Sequence, residues 1–246
     1  MAINNFHRKL EKYYLLVSEA PRLGAQLTNT FLNLKEYENI DKGNNIPTIV
    51  IPGFTAGNGS TVFLRTVLGQ KNHKMFKWCN NRNIGFSDGV INKTIDQVKE
   101  LSDKYDSPVN IVGQSLGGCY ARTIANAIPD HINVVVTMGS PITGLELVSP
   151  STIHHYDTTA GGVNAAITHH AEYLHTFYPN PPSPSTSIYS KTDGVVNWQH
   201  SILVESDLSE SIEVDTSHVS MGFHLRTIQI IANRLSQKKD SWVRHT

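Results

Sequence analysis

Val109 to Ala127 reads VNIVGQSLGGCYARTIANA, and its interpretation decides the fold. Val109, Ile111 and Val112 make a short apolar, β-branched run, the signature of a buried strand. From Leu116 onward, Tyr120, Ile124 and Ala127 recur at helical spacing. Between the two lies Gly113-Gln114-Ser115-Leu116-Gly117, a G-x-S-x-G with no loop on either side. That is the context of a nucleophile elbow, whose turn is so tight that the serine is strained and the residues two before and two after it must be small. Ser115 is then expected at the C-terminal end of the strand, its hydroxyl exposed over the positive end of a helix. A glycine-lined turn with an ordinary N-cap serine would use the same five residues, so the rest of the chain must decide between them.

Strand signals flank the elbow. Thr48 to Ile51 is one, followed by Pro52-Gly53-Phe54-Thr55-Ala56-Gly57-Asn58-Gly59. That loop carries neither a Walker lysine nor G-x-G-x-x-G. Its expected use is a backbone N–H for an oxyanion, from Phe54, with a second from Leu116 just after the nucleophile. Ser60 or Thr61 caps a helix to about Leu68. Phe76 and Trp78 alternate with Lys77 in a strand, and Arg82-Asn83-Ile84-Gly85 makes a loop. Ile91, Ile95, Val98, Leu101 and Tyr105 mark an amphipathic helix. Ile132 to Thr137 is a further strand ending in Gly139-Ser140-Pro141. Ser187 to Ser190 and Ile212 to Val214 are the last two, and Leu225, Ile228, Ile231 and Leu235 trace a final helix. Strands alternating with helices predict an α/β fold with a mostly parallel central sheet covered on both faces.

Before the first strand, Phe6, Leu10, Tyr13 and Val17, then Leu23, Leu27 and Phe31 after Pro21, predict N-terminal helices packed on the flank, residues 1–45. From Ile142 to Ser183 the strand–helix rhythm fails, and residues 142–183 are expected to form a small cap or lid. His170, His175 and Glu172 within it lack the spacing of a metal motif, so no metal is expected.

A serine hydroxyl needs a base within hydrogen-bond reach, and the base an orienting acid. In this class of fold the order is Ser, then Asp or Glu, then His. Asp193 and His218 each follow the C-terminal end of a predicted strand, the sheet edge where ligands bind. His200 and His224 compete for the base, and Asp207 and Asp215 for the acid, with Asp215 the nearer rival.

Charge excludes some partners. The 246 residues hold 21 Lys plus Arg and 21 Asp plus Glu, with no block of one sign, so a nucleic-acid partner is not expected. No apolar run reaches transmembrane length, and the five apolar residues from Tyr13 to Val17 are too few for a signal h-region. Cys79 and Cys119 make no disulfide framework. Both read as buried free thiols, in keeping with a cytoplasmic location.

Taken together, several pieces resemble the small bacterial α/β-hydrolases of the lipase/esterase type, the group related to triacylglycerol lipases and PGAP-type inositol deacylases. They are Glu19-Ala20-Pro21-Arg22, Ile51 to Gly57, Arg82 to Gly85, Gly113 to Gly118, Gly139-Ser140-Pro141, Ser190 to Val196 and Ser217-His218. The resemblance implies an α/β-hydrolase core over residues 46–141 and 184–246. It also implies Ser115 as nucleophile, Asp193 as acid and His218 as base, with Phe54 and Leu116 as oxyanion donors and no cofactor. The expected activity is hydrolysis of a small-molecule or lipid ester through an acyl-enzyme. An acyltransferase or thioesterase would use the same triad, other chemistry on the same fold would differ in substrate, and a binding module would have lost the triad. The loop after the first strand departs from the group in reading Pro52-Gly53-Phe54 where many lipases carry His-Gly.

Overall fold

The apolar runs become one six-stranded sheet of β1 (Pro47–Ile51), β2 (Lys74–Lys77), β3 (Val109–Gln114), β4 (Ile132–Met138), β5 (Ser185–Tyr189) and β6 (Ser209–Glu213). The strands lie in the order β2-β1-β3-β4-β5-β6, and every neighbouring pair is parallel. The computed structural model describes residues 14–144, 150–160, 162 and 164–245, the side chains of Pro150 and His170 excepted. Phe6, Leu10 and Tyr13 of the expected first helix lie outside the described residues. Seven helices are named here: α1 (Glu19–Leu32), α2 (Val62–Gly69), α3 (Asp88–Tyr105), α4 (Leu116–Ala127), α5 (Pro150–Ala160), α6 (Ala165–Phe177) and α7 (Leu225–Leu235).

Side chains alternate across the sheet as strand geometry requires. Ile49, Ile51 and Ile111 pack with Ile91, Val98 and Leu101 of α3 and with Tyr120 and Ile124 of α4. Val50, Val112 and Val136 point the other way, against Leu64 and Leu68 of α2 and Ile228 and Ile231 of α7. Two buried cores therefore sandwich the sheet, which makes this an α/β-hydrolase-type arrangement with helices on both faces. Because β1 sits between β2 and β3, the chain reverses its progress across the sheet there. The loops after β1 and β3 open on that switch point, where parallel sheets bind ligands.

Four expectations are corrected. Helix α1 buries Glu19 and Thr30, whereas Phe31 is 66% exposed. The buried stripe is anchored by polar bonds, Thr30 Oγ1 donating to Phe223 O at 3.2 Å. Trp78 lies just beyond β2 and is buried because its indole donates to Thr94 Oγ1 of α3 at 2.9 Å. Cys79 is exposed while Cys119 is buried. Strand β6 begins at Ser209, three residues before its apolar signal, because its buried end is polar: Glu210 accepts from Thr186 Oγ1 at 2.8 Å and pairs with Arg234 at 3.0 Å.

Between β4 and β5, helix α6 lies against α4 and α5 lies against α6. Phe86 joins them to the core, its ring 4.8 Å from Tyr120, 5.1 Å from Tyr173 and 5.5 Å from Phe177. At the end of α6 the last carbonyls have no helical partner. The buried Arg122 guanidinium of α4 supplies donors to three of these backbone oxygens, Phe177 at 2.6 Å, Tyr178 at 2.9 Å and Pro179 at 2.9 Å. Burial lowers its pKa to about 10, which leaves it charged at neutral pH. Replacing Arg122 by leucine strands those carbonyls and is expected to cost about 3 kcal/mol or more. Urea unfolding measures it, and a loss below about 1 kcal/mol contradicts this role for Arg122.

Candidate active site

Strand β3 passes into α4 within one residue, and that residue is Ser115. Its φ of 52° and ψ of −124° lie where side chains are rarely found, at a cost of about 1–3 kcal/mol that the surroundings must support. The two glycines make the turn possible. A Cβ on Gly117 would fall 2.6 Å from Pro52 O, and one on Gly113 would fall 2.5 Å from Gly118 Cα. Ser115 N donates to Met138 O at 2.8 Å and Gly118 N donates to Ser115 O at 2.9 Å, which fixes the backbone on both sides. Leu116 N opens the helix, where an N–H has no helical acceptor and faces the positive end of the dipole.

The loop after β1 is held from below by Asn83, fully buried in the Arg82–Gly85 segment. Asn83 Nδ2 donates to Pro52 O at 2.9 Å, Asn83 N donates to Ala56 O at 2.9 Å, and Thr55 N donates to Asn83 O at 2.6 Å. Ala56 N is committed to Gly53 O at 3.1 Å. Thr55 N and Ala56 N are thus occupied, and Gly53, just before Phe54, lies close to the elbow, its Cβ position 3.3 Å from Ser115 Cβ.

Across the cavity, Asp193 and His218 are joined and buried. His218 Nδ1 lies 2.6 Å from Asp193 Oδ2. The other carboxylate oxygen accepts from Val195 N and Val196 N, both at 2.8 Å, so the Asp193-Gly194 turn itself orients the acid. Gly139, at φ 54°, passes beneath the pair, and a Cβ there would stand 2.9 Å from Asp193 Oδ2 and 3.0 Å from His218 Nδ1. Burial of the His218 ring disfavours its charged form. The Asp193 carboxylate and then Glu19 outweigh this, raising its pKa above the ordinary 6.5.

Glu19, part of the Glu19-Ala20-Pro21-Arg22 junction that carries the resemblance, has a role that its place in the sequence does not assign. Only 7% exposed, its Oε1 accepts from Gly194 N at 2.8 Å and His218 N at 3.1 Å, and its Oε2 from Val219 N at 3.1 Å. One carboxylate thus ties the Asp193 loop to the His218 loop. Arg22 completes the clamp, reaching Glu19 Oε1 at 3.0 Å and Thr192 O at 2.6 Å. From the elbow side, Gln114 Nε2 donates to His218 O at 3.1 Å.

The rivals stand elsewhere. Asp207 and Asp215 are exposed, His224 Nδ1 pairs with Thr227 Oγ1 at 3.2 Å, and His200 Nδ1 pairs with Thr143 Oγ1 at 2.9 Å. Ser115 and His218 line one open cavity. No hydrogen bond joins the two side chains among the described residues, a separation that is common before substrate binds. Among the described residues no three His, Cys, Asp or Glu side chains gather as a metal site, and no helix is long and apolar enough to cross a membrane.

Substituting Glu19 by glutamine keeps the shape, removes the charge and presents an amide N–H₂ to backbone donors. The expected loss is about 2 kcal/mol of stability. Removing a nearby negative charge also lowers the His218 pKa relative to wild type, read by NMR titration of its ring protons. An unchanged His218 titration in a folded Glu19→Gln protein contradicts the electrostatic part of this account.

By sequence, no curated protein matches the chain. In structure it is similar to that described for LipS and LipT, two metagenome-derived lipolytic enzymes, at 15% identity and a TM-score of 0.58, covering 79% of this chain and 93% of that one. Aspergillus fumigatus lipase B aligns at 17% identity and a TM-score of 0.57, over 82% of this chain but 55% of the lipase. A lipase-esterase related protein from Clostridium acetobutylicum aligns at 14% identity and a TM-score of 0.56, over 79% and 98% of the two chains. These likenesses establish the α/β-hydrolase fold. Residues 58–234 match an uncharacterised protein family, UPF0227, and the chain belongs to that family.

Proposed function

We propose that the protein is a serine hydrolase of carboxylic esters, with Ser115 as nucleophile, His218 as base and Asp193 as orienting acid. The observation that carries this reading is a serine held at φ 52° on a strand–helix elbow, lining one cavity with a buried histidine whose Nδ1 is taken by a carboxylate. A structural turn does not need the strain, and a buried ion pair does not need a serine beside it. The lipases and esterases that share the fold support the same reaction class.

In this mechanism His218 Nε2 accepts the Ser115 proton as Oγ bonds to the carbonyl carbon. The oxyanion is met by the Phe54 and Leu116 N–H groups, each worth about 10²–10³ in rate in such sites. His218 then returns the proton to the leaving oxygen, the C–O bond breaks, and an acyl-enzyme remains. Water, deprotonated by the same ring, attacks the acyl carbon. Ser115 Oγ leaves with the proton, releasing the acid. Asp193 holds the tautomer with Nδ1–H and stabilises the imidazolium between steps. Residues 142–183, which include α5 and α6, serve as the lid over this centre, and residues 46–141 with 184–246 as its core.

A fluorophosphonate probe is expected to label the wild type and not Ser115→Ala, whose kcat should fall by about 10⁴ or more. Equal labelling of both removes Ser115 from the reaction. The base must be neutral to act, so kcat/KM should fall as pH drops through the His218 pKa. Because that pKa is raised, the acid limb should have its midpoint above 6.5, and a pH–rate profile checks it.

A further inference from the structure

Two cavities of very different size meet at Ser115. One is small and apolar, about 60 Å³, walled by Phe86, Leu116, Cys119, Tyr156, Ala166 and Val196. The other is wide, about 570 Å³, and its lining includes Leu23, Thr55, Gln114, His155, His218 and Phe223. The chemistry decides which half of an ester enters each. His218 delivers a proton to the leaving oxygen, so the leaving group must lie on the His218 side. His218 lines the wide cavity and takes no part in the small one. The acyl chain is left with the small cavity. A space of about 60 Å³ with apolar walls suits a short chain and not a long one. The wide cavity is of the size that takes a whole small-molecule ligand. Among the described residues no Lys, Arg, Asp or Glu lines it, so none of them offers a charge to a phosphate or an ammonium.

We infer that the substrates are esters of short acids with a bulky uncharged alcohol. This rests on the serine-hydrolase reading above and narrows it. A long-chain lipid acyl group does not fit the small cavity. A phosphorylated leaving group, such as the thiol carrier of an acyl thioester, finds no charge partner among the described residues of the wide one.

The test uses the full chain and three measurements. Fluorophosphonate labelling of Ser115 comes first and tests the parent reading alone. Next, kcat/KM is measured for p-nitrophenyl esters from acetate to laurate. The expected profile peaks between acetate and butyrate and falls at least about tenfold by octanoate. Butyryl-coenzyme A should be turned over more slowly than p-nitrophenyl butyrate or a butyrylated neutral sugar. Variants of the small cavity then locate the acyl chain. Ala166→Val narrows it and should lower the butyrate-to-acetate ratio about tenfold, while Cys119→Ala widens it and should raise the relative rate on hexanoate. An enzyme that labels at Ser115 yet prefers laurate, prefers butyryl-coenzyme A, turns over no p-nitrophenyl ester, or keeps its chain-length profile in both folded variants overturns the inference while sparing the hydrolase assignment. Failure of Ser115 to label overturns both.

Discussion

One close approach sets the geometry of everything above the sheet. Gly117, in the first turn of α4, lies against the backbone carbonyls of Ile51 and Pro52, with no space for a side chain. That contact brings the end of β1 and the end of β3 within a few ångströms, so that the loop bearing Phe54 and the turn bearing Ser115 share one rim. A larger residue at 117 would lift α4 from the sheet and separate the two. The same requirement forces Ser115 into its strained conformation, since no relaxed turn leads from a parallel strand to a helix in so short a span. The strain is held by Ser115 N donating to Met138 O, a bond to the neighbouring strand.

The opposite rim has a close approach of its own, Gly194 lying against the Leu15 and Leu16 backbone with no space for a side chain, and its catalytic groups are aligned by side chains. Asp193 and His218 arrive on separate loops, after β5 and β6. What aligns them is a carboxylate from a helix that precedes the sheet in sequence, Glu19 accepting three amides from the two loops. A buried carboxylate is costly unless its lone pairs are filled. Here three amides and Arg22 fill them, and its place in the first turn of α1 adds the favourable end of the helix dipole. Glu19 therefore acts on the site through backbone position and through charge at once, since its field adds to that of Asp193 at the imidazole.

What could be read from residues alone divides along physical lines. Strands β1, β3 and β4 are buried on both faces, so their apolar runs announce them. Strand β6 buries Ser209 and Glu210 against Thr186 and Arg234, a polar solution that hydrophobic patterning cannot see. Glu19 is hidden for a related reason: an acidic residue on an amphipathic helix ordinarily marks the solvent face, and its partners are amides with no sequence signature. Phe31 misleads in the opposite sense, continuing an apolar stripe while facing water. Elbow glycines are legible because only steric necessity places them two residues either side of a serine. The choice between Asp193 and Asp215 is a different matter. Both sit near a strand end, and what separates them in space is the Gly139 turn, which passes beneath Asp193 and His218 together and leaves Asp215 in solvent.

The two halves of the cavity share parts of their walls, Phe54, Thr152 and Val195 lining both. Val195, His218 and Val219 of the wide side sit on loops fixed by Glu19, with Leu23 of the same helix contributing to its wall. The small side is built from α4, from α5 and α6 and from Val195 and Val196, and α6 is fastened to α4 by Arg122 and the Phe86 ring stack. Helix α5 reaches both sides, through Tyr156 on the small one and His155 on the wide one, so a change in that helix acts on the two halves of a substrate together. The histidines of the segment between β4 and β5 serve the wall by packing: His155 meets Phe54 edge-on at 5.6 Å and His169 pairs with Tyr156 at 3.1 Å, contacts that hold α5 against the β1 loop and against α6.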